Sequence, residues 1–120
     1  MNLNIKRRKY LNIIWLLLFA VLIGLSVQPY YTPSGNNHID KVLHFIGYAA
    51  ISFLPVIFFK ARRKVYWSEA FIIFTAFATE GAQHFMPTRT ASFGDLVANL
   101  IGVTAGIFIA YIFKKILIRT

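Results

Sequence analysis

Nine polar residues in two short stretches have the types and spacing to do chemistry together: Asp40, Lys41 and His44 in the first, and Glu80, Gln83, His84, Arg89, Asp95 and Asn99 in the second. His44 suits a general base or nucleophile, oriented by Asp40 four residues before it. Arg89 offers a planar fork that fits phosphate oxygens. Glu80, Asp95 and Asn99 are all-oxygen ligands, and with phosphate and water they could hold a hard divalent cation such as Mg2+ or Ca2+. Gln83 and Lys41 complete the list of substrate-binding candidates, and Glu80 also stands with Asp40 and His44 in the catalytic set.

The spacing makes the group more than a list. Asp40 and His44 are four apart, with Tyr48 four further on. Glu80, Gln83 and His84 stand at i, i+3 and i+4, and Asp95 and Asn99 are four apart. On a helix each set shares one face. Three helices with polar faces at one depth are cheapest when those faces turn toward one another.

The elements that must carry these faces are apolar. The hydrophobic fraction is 58%, and only 14% of residues are charged, in a chain of 120. One small domain could not hide that much apolar surface from water, which makes lipid the expected solvent. Four apolar runs, about 11–27, 42–59, 66–85 and 95–113, predict a compact, all-α bundle of four membrane spans in a single domain, 1–120. The basic head before the first run also describes a signal peptide. No small-x-small site follows it, so the run is read as an uncleaved span. Pro55 frees the carbonyl four residues back and predicts a kink supported by neighbouring helices. With no cysteine, disulfides and thiolate metal sites are excluded.

Charge placement gives the orientation. The net charge is +9, from 13 Lys and Arg against 4 Asp and Glu. Four basic residues precede the first run, four lie within 60–64, and three close the chain. Only Lys41 and Arg89 lie elsewhere. Basic segments stay cytoplasmic, so both termini are expected inside, with the loops at 28–40 and 86–94 outside. The charge is thus a topology signal with a secondary role toward anionic lipid, and nucleic acid is not an expected partner. Every candidate site residue then falls at the outer end of a span or in the loop between two. The first span should be peripheral.

Structural roles compete at several positions. Asp40 could serve as the N-cap of its helix, and Asp95 as the acidic member of a capping box opened by Ser92. Lys41 could snorkel to head groups. His84 and Glu69 read as interfacial, His38 as a solvated loop residue. His44 and Glu80, a turn or more inside their spans, are harder to explain away. Ala98, Gly102, Gly106 and Ala110 form a small-residue stripe for close helix approach, with Gly102 near enough to the polar cluster to make room for a ligand as well.

The ordered set D-K-x-x-H-F at 40–45, E-x-x-Q at 80–83, P-x-R at 87–89, S-x-x-D at 92–95 and N-x-x-G at 99–102 resembles the VanZ-like family of bacterial membrane proteins over about residues 38–113. The resemblance implies a compact helical core in the bacterial cell membrane and an association with resistance to the glycopeptide teicoplanin. It also implies kinship with enzymes that exchange or hydrolyse lipid head groups. The expected function is therefore that of an enzyme on phosphate-linked lipid head groups, or on a lipid-linked cell-wall precursor, at the outer face. The competing expectation is a non-catalytic protein that binds lipid or antibiotic through the same cluster. A transporter is less favoured, since four spans are few and no inverted repeat is visible.

Overall fold

A computed structural model describes residues 5–26, 37–85 and 93–119. The regular structure among them is helical: α1 (Ile5–Ser26), α2 (Asn37–Phe58), α3 (Arg62–His84) and α4 (Phe93–Arg119). Each apolar run became one helix, but the ends moved. Helix α2 starts at Asn37, inside the expected loop, so Asp40 falls within its first turn and is not its N-cap. The basic stretch 60–64 is not all turn: Arg62–Lys64 open α3, and the connection is only Phe59–Ala61. Its backbone is closed by Phe59 N–H to the Pro55 carbonyl (2.9 Å) and Lys64 N–H to that of Ala61 (3.0 Å). Among the described residues two stretches are long and apolar enough to cross a membrane, Lys41–Phe58 and Phe93–Leu117.

Helix α2 lies at the centre, touching the other three; α1 packs on α2 and α3. The tightest approach is α2 to α4, and glycines permit it. A Cβ at Gly102 would stand 2.5 Å from the Phe45 carbonyl oxygen, and one at Gly106 would overlap the carbonyl of Ala49. Ala110, the next small residue, is fully buried. The stripe therefore works as packing along its length. The space beside Gly102 is filled by the backbone of α2, not left for a ligand.

Pro55 leaves the Ile51 carbonyl without its helical donor. Trp15 supplies one: its indole Nε1–H donates to Ile51 O at 3.1 Å, while the ring stacks on Phe19 with centroids 5.5 Å apart. Helix α1 is thus peripheral to the polar cluster, yet it makes a specific contribution to α2 as well as packing by shape. At the end of α2 the Val56 carbonyl, one of the last four and so without an intrahelical donor, accepts from Lys114 Nζ at 3.2 Å. Trp15→Phe should keep the stacking and orphan the Ile51 carbonyl, at about 1–3 kcal/mol. A lowered thermal midpoint in detergent is the expected readout, and an unchanged one would remove this role.

Candidate functional site

The helices segregate charge. The start of α2, the end of α3 and the start of α4 meet at one end of the bundle, with His44, Glu80, Asp95 and Asn99. The start of α1 and the α2–α3 turn share one pocket at the other, with Arg8, Lys60 and Lys64, and Lys114 reaches the end of α2 nearby.

At the acidic end the central contact joins α2 to α4. His44 Nδ1 lies 3.0 Å from Asn99 Oδ1. An amide oxygen only accepts, so Nδ1–H donates, and a neutral ring then carries its lone pair on Nε2. The glycine stripe fixes this distance. Phe45, which follows His44, is the residue whose carbonyl abuts Gly102, and Gly102 lies one turn from Asn99. The pair is deeply buried, with His44 8% exposed and Asn99 1%. The Asn99 Nδ2 amide has no hydrogen-bond partner and is a donor held inside the bundle. Asp95, one turn before Asn99 on the same face, is buried too, in the first turn of α4. An acid there is favoured by the helix dipole.

Helix α3 joins through Tyr48, one turn along α2 from His44. Tyr48 and Thr79 exchange a hydroxyl–hydroxyl contact of 3.3 Å. Thr79 Oγ1–H also reaches back to the Thr75 carbonyl at 2.9 Å. Glu80, half-buried and next to Thr79, lies close enough to Tyr48 for its charge to act there. His44 and Asn99 are thus in direct contact, Asp95 lies one turn before Asn99 on α4, and Glu80 lies near Tyr48, one turn along α2 from His44. Lys41 is half-buried one turn before His44. The side chains of Asp40, Gln83 and His84, and all of Arg89 and Ser92, lie outside the described residues, as does most of the expected outer loop at 86–94. Among the described residues no three His, Cys, Asp or Glu side chains gather as a metal site.

Sequence reasoning put Tyr48 on the polar face of its helix but did not select Thr79 or Ser52 as part of the polar interior, and it placed Glu69 at the interface. Glu69 is in fact buried within the bundle, 7% exposed. Ser52 faces it from α2, but neither the Ser52 hydroxyl nor either Glu69 oxygen completes a hydrogen bond. A signal was present: His44, Tyr48 and Ser52 recur every four residues, as do Thr75 and Thr79. Since a buried, unpaired carboxylate is costly, Glu69→Gln should leave the thermal midpoint in detergent unchanged or raise it. A fall of several degrees would mean that the carboxyl itself is required.

Comparison with protein-family models matches residues 2–114 to VanZ/LLP1. Curated proteins and solved structures give no match. The match spans nearly the whole chain and takes in Lys41–Phe58, most of Phe93–Leu117, the buried His44–Asn99 pair and the glycine-lined contact that sets it, and on these grounds the chain belongs to the VanZ-like family.

Proposed function

We propose that the chain is a four-span protein of the bacterial cell membrane, both termini cytoplasmic, that acts on a phosphate-linked lipid head group or lipid-linked cell-wall precursor at the outer face. The observation that carries this reading is the buried His44–Asn99 hydrogen bond of 3.0 Å, with Asp95 buried one turn before Asn99, at one end of an apolar bundle. The surface supports a lipid solvent. Large apolar side chains point outward from every helix, among them Leu17 on α1, Ile46 on α2, Phe74 on α3 and Phe108 on α4. Exposed apolar surface on that scale marks contact with membrane in a small protein. The long dimension of 49 Å matches a bilayer of about 40–45 Å with its head-group regions.

In this reading Asn99 holds the His44 ring so that Nε2 takes a proton from the attacking hydroxyl or water, or attacks phosphorus itself. Asn99 Nδ2 donates to a ligand oxygen. Arg89 and Lys41 bind phosphate oxygens, with Gln83 beside them, and Asp40 and Glu80 complete the acid–base set. Glu80 and Asp95 would be the oxygen donors toward a divalent cation held together with the phosphate and water. A second reading is favoured by the depth of the pair: a histidine and an asparagine this buried could lock α2 to α4, and the protein would bind lipid or glycopeptide without turnover. Teicoplanin resistance is a phenotype compatible with either.

Lipid mass spectrometry of membranes with the protein, without it, and with His44→Ala separates the two. A head-group change that depends on His44 supports turnover, and identical lipid profiles favour the binding role. Orientation has its own test. A reporter active only outside the cytoplasm, fused after Thr120, should be silent, and strong activity would overturn the topology.

A further inference from the structure

The end of the bundle opposite the polar cluster holds a pocket that head-group chemistry at the other end leaves unused. It opens where the first turns of α1 meet the α2–α3 connection and encloses about 110 Å3. That is several times the roughly 10–15 Å3 that accommodates one water. Arg8 and Asn12 from α1, Lys60 from the turn and Lys64 from α3 line it, with Phe58 and Phe59 as apolar walls. Among the described residues no acidic side chain lines it. Three cations in one wall repel one another, and no described residue lining the pocket supplies a counter-charge.

The start of α3 deepens the imbalance. Its first turn carries Arg62, Arg63 and Lys64 and no acidic residue, at the end of a helix where the dipole is positive and anions are favoured. A cytoplasmic bias explains why basic residues occupy this end of the bundle. It does not explain why Arg8, Lys60 and Lys64, from three separate elements, converge on one cavity.

We propose that this pocket binds the phosphate of an acidic phospholipid of the inner leaflet, with Arg8, Lys60 and Lys64 as the recognising cations and the Asn12 amide as a neutral donor. The apolar walls select a lipid over free phosphate. From Leu11 at the pocket, the same face of α1 continues through Ile14 and Leu18, both about half exposed, where acyl chains would lie. Basic pockets between membrane helices on the cytoplasmic side have the chemistry that acidic head groups need. The proposal rests on the membrane reading given above, but not on head-group turnover.

The test is native mass spectrometry of the full chain in detergent, offered equal amounts of phosphatidylglycerol and phosphatidylcholine and, in a separate sample, inorganic phosphate. The wild type should retain phosphatidylglycerol preferentially. The triple variant Arg8→Gln, Lys60→Gln, Lys64→Gln should lose that preference by about tenfold or more, as expected for several lost head-group charges. A control triple, Lys9→Gln, Arg63→Gln, Lys115→Gln, removes the same formal charge outside the pocket lining and should keep it. If the pocket triple does not survive extraction, Lys60→Gln alone, in the turn, should weaken retention about fivefold. Equal losses in pocket and control variants would overturn the proposal, as would retention of inorganic phosphate but not of the lipid. Equal retention of the two lipids by the wild type defeats the pocket alone. Retention of neither defeats the membrane reading with it. Absence of turnover at the opposite end leaves this readout unchanged.

Discussion

Head-group turnover is expected to fall by about 10²–10⁴-fold in His44→Gln, the range that a positioned acid–base group supplies. Glutamine keeps a polar, hydrogen-bonding side chain near Asn99 but has no basic nitrogen. The variant should therefore accumulate in membranes at the wild-type level, and the loss should appear in rate rather than in abundance. Asn99 is a positioning residue in the same account. Asn99→Leu removes the oxygen that accepts from His44 Nδ1 at 3.0 Å and leaves the ring unheld. Asn99→Asp retains an acceptor at that point and should recover most of the lost rate. A purely structural lock predicts a different pattern: His44→Gln and Asn99→Leu would lower abundance or thermal midpoint together, with no rate to lose. Equal behaviour of the leucine and aspartate variants at normal abundance would remove the positioning role.

The second large effect concerns the helix contact that brings the pair together. Gly102→Ala is expected to destabilise the bundle by about 1–3 kcal/mol, the usual cost of forcing an extra carbon into a filled space. The obstacle is the backbone carbonyl of Phe45, 2.5 Å from the new carbon, and backbone cannot swing aside as a side chain can. Helix α4 would have to withdraw from α2, taking Asn99 from His44. Gly102→Val should be worse, and many such molecules should fail to reach the membrane intact. Gly81 is the control. Nothing lies within 4 Å of a Cβ there, so Gly81→Ala should be neutral or gain up to about 1 kcal/mol from helix propensity. Thermal midpoints in detergent measure both. Equal midpoints for Gly102→Ala and Gly81→Ala would show that α2 and α4 do not approach as closely as described.

Much of this was legible from spacing alone. The i, i+4 phases of His44 and of Asp95 and Asn99 placed them on helix faces, and the separation of basic from acidic residues put those faces at one end. The glycine stripe foretold the close approach of a neighbouring helix to α4, though not that the neighbour is α2 or that the Phe45 backbone would occupy the space at Gly102. The start of α2 was obscured because Asn36 and Asn37 read equally as loop breakers and as helix openers. Glu69 was misplaced because sequence gives distance from the basic turn but not rotation toward a neighbour. One step of 100° about the helix axis separates an interfacial carboxylate from a buried one, and only packing decides. The Trp15–Ile51 hydrogen bond was half legible: Pro55 named the orphaned carbonyl, but no local rule names a donor on another helix.

The central claim is that His44, held by Asn99, performs chemistry on a phosphate-linked lipid. Phosphorus NMR of vesicles containing the purified protein tests it most directly, with acidic and zwitterionic phospholipids as substrates and His44→Gln as the paired sample. The account predicts a new phosphorus resonance that grows with time in the wild type and stays absent in the variant. A wild-type spectrum that never changes, or a change that proceeds equally in His44→Gln, would contradict it.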